Sequence, residues 1–435
     1  MKPLLAALIA LAFTIPGVRS QLCMAESAIP LLSGFDAERI ESVYPPTDEK
    51  AAGELAKLLY RMQKVAGDTL LSKVGTDAGL GDAVEIDGVI LERGAIKVPE
   101  RLHEFLEITQ LQVLVCEIAG KQQRLVTINL PSTAKAGDRI QGVGVVIESN
   151  PDTRSVVALA AARLRWFPEQ PASAGWKMLS EAGVDVSLLS DASSRNRRRL
   201  LPEDGDAFYS LLAAAAFYTD KPASAAETIQ PVALLQSPEN LSGQWISMNL
   251  ETVQITRISV TEPNRQTQLG GDHYYQIDAM GDLGNIVVRI ESPDGGEPAS
   301  FENRYPVSIV TRELPDFLKR KIRLQENGDA VVANLKNLIR VDGFFYRLWS
   351  YSTDFMKQHG GGEQFGPLLM AAKFQDRQPT SSDPAGVGII RWIAGIATIC
   401  GILLTWTWNR QTSIRDKQIR EQRKTRESEQ LQLPE

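Results

Sequence analysis

Histidine and cysteine are nearly missing from this chain, with three of each in 435 residues. Cys23, Cys116 and Cys400 cannot build a disulfide framework, and a chain of this length does not need one to hold a core. Cys116 falls in the apolar run LQVLVCEI, where a buried thiol is the ordinary state, and no structural disulfide is expected. His103, His273 and His359 stand at no zinc-ligand spacing with one another or with the cysteines. The sequence has no G-x-S-x-G elbow, no P-loop, no G-x-G-x-x-G turn after a strand and no EF-hand loop. No cofactor is expected. An excess of positive charge is absent as well. The formal net charge is -6, with a pI near 5.5. That balance disfavours a surface built for nucleic acid, where phosphate neutralisation dominates binding.

What is present is clearest at the two ends. Ile389 to Trp408 reads IIRWIAGIATICGILLTWTW, an apolar stretch whose only charge is Arg391. From Trp392 to Trp408 a helix would run about 25 Å at 1.5 Å per residue, close to the roughly 30 Å hydrocarbon layer. Tryptophans at both ends suit the interfacial belts, and Arg391 lies near enough to the edge to snorkel. A membrane span is expected here. Residues 1–20, MKPLLAALIALAFTIPGVRS, have the early base, short apolar run and small-residue ending of a secretory signal peptide, cleaved near Gln21 or retained as an anchor. After the span, seven bases stand against five acids between Asn409 and Glu435, whereas the flank before it, from Asp376 to Ile390, holds only Arg377. The charge bias places the tail in the cytoplasm and the large N-terminal part outside the cytoplasmic membrane. The lipid bilayer is thus one expected partner.

The exterior part reads as two copies of one module. The first copy runs over 29–171 and the second over 184–379, each opening on an acid-capped helix, YPPTDEKAAGELAKLLYRMQKV and LLPEDGDAFYSLLAAAAFY, with Asp48 and Asp204 as candidate caps. Pro99 aligns with Pro238, Arg139 to Gly142 with Arg340 to Gly343, and Ala161, Ala162 and Arg163 with Ala371, Ala372 and Lys373. The second copy is longer, with an insertion near 264–328. Short Val, Ile, Tyr and Thr runs between turn residues indicate antiparallel strands. The expected fold is α+β, two OB-like barrels each preceded by a helical segment, with a β-sandwich as the alternative. The domains are then 1–20 signal peptide, 21–175 first module, 176–385 second module, 386–409 transmembrane helix and 410–435 basic tail.

At GFFYRLWSYS, residues 343–352, together with the signal peptide and the C-terminal span, the chain resembles uncharacterised exported, membrane-anchored proteins of planctomycete-type bacteria. The resemblance implies location and no chemistry.

Candidate sites follow from local patterns. His359 with Gly360, Gly361 and Gly362 looks like the HGGG turn of some esterases, but without a nucleophile elbow a glycine loop is the expected role. The acidic turns at 203–206 and 294–297 are read as solvated rather than as calcium sites. Arg195, Arg197, Arg198 and Arg199 form a basic run ahead of the second copy's helix, an exposed linker or an anion contact. The most aromatic strand gives the one candidate binding surface. Strict alternation would put Phe345, Arg347 and Trp349 on one face, opposite Phe344, Tyr346 and Leu348. Left open, that face suits a glycan or peptide ligand; large aromatic patches are normally covered, and coverage is expected. Three functions remain open: a membrane-tethered binding or scaffolding protein without catalysis, a subunit with a membrane protein partner, and an enzyme whose site no motif reveals.

Overall fold

The alternating strand runs close into two barrels. The structure, a computed structural model, describes residues 27–378 apart from 76–77, 151, 154, 292–297, 323–331 and 359–362. The expected signal peptide, Cys23, the HGGG loop, the acidic turn at 294–297, the expected membrane span and the tail lie outside the described residues. Among the described residues no helix is long and apolar enough to cross a membrane.

The first barrel comprises β1 (Ala83–Lys97), β2 (Gln110–Ile118), β3 (Lys121–Thr127), β4 (Arg139–Ser149) and β5 (Val156–Ala161), and β6 (Leu164–Phe167) extends the sheet from β4. Its order is β1-β2-β3-β5-β4, closed by pairing of β4 with β1, and β3 with β5 is its one parallel pairing. The second barrel comprises β7 (Trp245–Ser259), β8 (His273–Asp282), β9 (Arg304–Thr311), β10 (Leu338–Tyr351) and β11 (Gln364–Asp376). Its order, β7-β8-β9-β11-β10 and back to β7, is the same, with the parallel pairing again between its third and fifth strands. The architecture is mixed α+β with two barrel-like modules, and this closed order fits an OB-like fold rather than a sandwich.

The agreement extends to register. The first strand of each barrel carries a bulge next to its second strand, at Leu91 between Ile90 and Glu92, and at Val253 between Thr252 and Gln254. The fourth strand bulges against the fifth at Ile147 and at Tyr346. A transverse row through both bulges reads Glu92, Val115, Arg124, Ala158 and Glu148 in the first barrel. In the second it reads Gln254, Asp278, Ser308, Leu368 and Arg347. On this register Ala161 does answer Ala371, as the sequence suggests. Gly343 answers Gly144, not Gly142: Val84 faces Gly144 and Ile246 faces Gly343. The sequence alignment had slipped by two residues, which keeps every side chain on its own face and so leaves the hydrophobic pattern undisturbed.

Two further corrections concern the copies. Pro99 follows β1, whereas Pro238 precedes β7, so these prolines are not equivalent. The extra chain of the second copy is also not one insertion. It is divided between the connection at 283–303, where the first barrel turns with Ala119 and Gly120, and the connection at 312–337, where the first barrel uses 128–138.

One helix lies across the outside of each barrel. In α1 (Glu49–Lys64) Asp48 caps the N-terminus by accepting from the Ala51 amide at 2.7 Å, and Arg61 and Lys64 sit in the last turn. Its buried Leu55, Leu58, Leu59 and Met62 recur at helical spacing and pack over Val126, Ala158, Ala160 and Ala162. After α2 (Gly67–Leu71), α3 (Ala174–Glu181) and α4 (Ser187–Ser194), the alanine-rich α5 (Gly205–Phe217) does the same over Val310, Leu368, Met370 and Ala372. The leucines of α1 lie over the alanines of β5, whereas α5, which buries Ala207, Ala214 and Ala215 besides Phe208, Leu211 and Leu212, lies over Leu368 and Met370 of β11. A base two residues beyond the matched pair Ala161 and Ala371 then reaches the carbonyl end of each helical segment. Arg163 donates to the Gln63 carbonyl at 2.7 Å, and Lys373 to the Lys221 carbonyl, just beyond α5, at 2.8 Å.

The modules share one apolar core, running from Ile86, Leu114 and Leu159 inside the first barrel through Trp166 and Leu189 to Trp245 and Phe344. At the seam Trp166 and Trp176 meet edge to face, 6.3 Å between centroids, and their indole N–H groups donate to Asp138 at 2.8 Å and to the Ser242 carbonyl at 2.9 Å. Cys116 lies inside the first barrel, where burial pushes its thiol up to about 12.

Candidate functional site

The aromatic strand β10 is where the sequence points first. Its bulge at Tyr346 advances the alternation by one residue, so Phe345 and Leu348 join the barrel interior, whereas Phe344, Tyr346 and Trp349 pack outward toward α5. The single face expected for Phe345, Arg347 and Trp349 does not form. Phe345 and Arg347 are fully buried and Trp349 is half-buried. The cover expected over this strand is present, supplied by neither the helix alone nor the added loops. It is residues 195–204, the basic run read as a linker.

That segment is a strap held by main-chain and side-chain bonds together. The Arg197 amide donates to the Leu348 carbonyl at 3.0 Å and the Ser350 amide to the Arg198 carbonyl at 3.1 Å. Asn196 Oδ1 accepts from the Leu348 amide at 2.8 Å. Beneath it, the Arg347 guanidinium donates to the carbonyls of Arg195, Arg198 and Arg199 and to Asp204 Oδ2 at 2.9 Å. Asp204 is 1% exposed and also accepts from Arg195 Nε and the Leu201 amide, each at 2.8 Å. Its position before α5 is that of a cap, as expected, but its carboxylate makes no cap bond. Desolvating such a pair is costly, and these charge-assisted bonds are what keep it bound. The charges of Arg195, Asp204 and Arg347 are therefore structural, and Arg199 is likewise paired with Glu363.

Beside the strap, Trp349 stacks on Tyr351, 4.6 Å between centroids, and the Trp349 Nε1 has no hydrogen-bond partner among the described residues. Tyr351 accepts from Gln364 Nε2 at 2.9 Å, and burial pushes its phenol up to about 12. Asp278, in the same row as Arg347, accepts from Gln276 Nε2 at 2.9 Å and faces Ser308 at 3.5 Å, and burial raises its carboxyl above the ordinary range.

The larger concave surface lies between the modules. A cavity of about 440 Å³ opens between α1–α2 and the first barrel, lined by Met62, Val65, Leu71, Val143, Ala162 and Arg165 among others. Through Gly67, Asp68 and Arg163 it joins a second, of about 600 Å³, which reaches Asp206 and α6 (Pro263–Leu269) with its flanking Glu262. Glu262 and Arg265 in turn border a third, of about 290 Å³, lined by Leu201, Pro202, Phe208, Tyr209 and Tyr274. The outer cavities are mainly apolar and the middle one polar. Arg265 is paired with Asp206 and donates to Gln268 at 3.0 Å, so it is committed within the fold. Sequence reasoning did not find this cleft. Its residues come from 62–71, Glu85, 142–165, 200–209 and 262–274, and those singled out there for their alignment, Gly142, Ala162 and Arg163, stood only as repeat anchors.

Among the described residues no group of three or more His, Cys, Asp and Glu side chains is placed to hold a metal ion. The acidic turn at 203–206 is instead taken up by Arg347 and Arg265. No family model and no curated protein matches the chain. Among solved structures, an aspartyl tRNA synthetase from Entamoeba histolytica is similar at 10% identity, over 51% of this chain and 51% of that one. The chain thus spans about half the length of that protein, and with a TM-score of 0.14 the likeness bears on neither fold nor function.

Proposed function

We propose that the chain is a binding or scaffolding protein, tethered to the cytoplasmic membrane by the segment at 389–408 with its barrels outside, and without catalytic activity of its own. We read the two modules as copies of one ancestral unit. The observation that carries the reading is the inter-module cleft, an extended concave surface on a two-barrel body whose strongest buried charges, Arg347 and Asp204, are spent on one another. Concave, mainly apolar surfaces with a few convergent polar groups are where proteins take up ligands. The tether rests on the sequence: the apolar stretch, its flanking tryptophans and the basic tail.

Two measurements test this. An alkaline phosphatase fusion after Glu435 is expected to be inactive, and an active one would overturn the orientation. Chemical cross-linking in intact cells, followed by purification of the full chain, is expected to recover a discrete partner or ligand bound to the exterior part. A partner cross-linked only to 389–435 would favour the subunit alternative.

A further inference from the structure

We propose that the cleft binds an extended polypeptide segment in which two apolar side chains flank a lysine or arginine. This rests on the reading of the chain as a binding protein and names what it binds. Three joined cavities of about 440, 600 and 290 Å³ form a trough too long for a compact metabolite, and their shared lining residues make it continuous. Each end presents an exposed leucine, Leu71 at one and Leu201 at the other, both 51% exposed beside further apolar lining. Large exposed apolar residues are unremarkable singly, but these two lie at opposite ends of the same trough.

The middle cavity sets the charge of the occupant. Its two arginines are already engaged, Arg163 by the Gln63 carbonyl and Arg265 by Asp206 and Gln268. Glu262 pairs loosely with Arg265 at 3.8 Å, its side chain 77% exposed, and the exposed Asp68 has no ion pair among the described residues. Counted by side chain, the lining of the middle cavity carries Asp68, Asp206 and Glu262 against Arg163 and Arg265, a formal excess of one negative charge. A basic side chain is what it would attract, and a phosphate-bearing strand is what it would repel. Asn264 and Thr267 on the same wall offer polar groups to the occupant's main chain. An extended segment advances about 3.3 Å per residue, so apolar side chains a few residues either side of the base would reach the two ends.

The test is fluorescence anisotropy with the full chain in lipid nanodiscs. The probes are fluorescein-labelled synthetic peptides carrying leucine, a Gly-Ser spacer, lysine, a second spacer and leucine, with spacer length varied. One member is expected to bind saturably, and to weaken about tenfold or more when its lysine becomes glutamate or either leucine becomes serine. Asp68→Lys, Leu71→Asp and Leu201→Asp change exposed positions, and each is expected to weaken binding by a similar factor with the unfolding midpoint unmoved. Absence of saturable binding across the series, binding indifferent to all three substitutions, or displacement of the peptide by a chitooligosaccharide would each overturn the assignment. If cross-linking still recovers an exterior-bound partner equally from wild type and from the triple variant, the binding reading stands and the cleft assignment alone falls.

Discussion

The row Glu92, Val115, Arg124, Ala158, Glu148 in the first barrel and the row Gln254, Asp278, Ser308, Leu368, Arg347 in the second occupy equivalent places, yet they meet different surroundings. Ala158 and its counterpart Leu368 are both buried beneath a helix, but Glu92 and Arg124 are exposed and Glu148 is half-exposed, whereas Gln254 and Asp278 are half-buried and Ser308 and Arg347 buried. The barrel did not change between the two; what lies over it did. In the second module residues 195–204 cross the fourth strand, and the residue just after the bulge becomes an arginine that satisfies the strap's carbonyls. One register can carry a solvated glutamate or a locked arginine on its fourth strand, depending on ten residues outside the sheet.

The sharpest way to break this comparison is to unlock the second barrel and leave the first alone. Asp204→Ala in the fragment 27–378 should cost about 3–5 kcal/mol, because it strands the buried Arg347. Glu148→Ala, at the place equivalent to Arg347, should stay within about 0.5 kcal/mol. Denaturant midpoints at unchanged slope would check both. Equal effects would mean that the strap does not lock the strand.

The paired glycines give the next contrast. A Cβ on Gly343 would lie 2.3 Å from the Met370 carbonyl oxygen, whereas on Gly144 the nearest atom, at 2.8 Å, is the flexible tip of Ile86, with the Ala160 carbonyl at 3.1 Å. Gly343→Ala should therefore destabilise by about 2–3 kcal/mol and Gly144→Ala by distinctly less. The reverse order in thermal melts would discredit the shared register. Trp349→Ala comes third. A fully buried tryptophan costs about 3–5 kcal/mol on truncation, and this half-buried one should cost about 2, again as a lower midpoint at unchanged slope.

The smallest effect is the one with a sign that depends on pH. Burial raises the Asp278 carboxyl above its ordinary value, so its ionised form opposes folding. That cost is fully present above the folded pKa and is relieved as pH falls through it toward the unfolded value. Asp278→Asn should stabilise the fragment at neutral pH, and the gain should shrink in mildly acid solution; a gain that is flat with pH would remove the carboxylate from the account. Val115, its counterpart, has no such dependence to lose.

How much of this was legible depended on whether the information was local. The strand runs, the Asp48 cap and the match of Ala161 with Ala371 were readable because side-chain spacing encodes them directly. The slip of Gly142 for Gly144 passed unnoticed because a two-residue shift preserves the face. The bulge at Tyr346 was not legible, since nothing in FFYRLW marks the extra residue, and it moved Phe345 away from Arg347 and Trp349. Asp204 was recognised at its position and misread in its role, because its partner lies far along the chain at Arg347. The cleft was invisible for the same reason, as it joins loops and helices that only the closed barrels bring together.

A double-mutant cycle on Arg347 and Asp204 tests the central contrast most directly. Arg347→Met, Asp204→Asn and the combination would be compared by denaturant unfolding of the 27–378 fragment. The locked-strap account predicts a coupling energy of about 1–3 kcal/mol, with the double variant more stable than the sum of its parts implies. Additivity within about 0.3–0.5 kcal/mol would contradict it, and the difference between the two barrels would then need another cause.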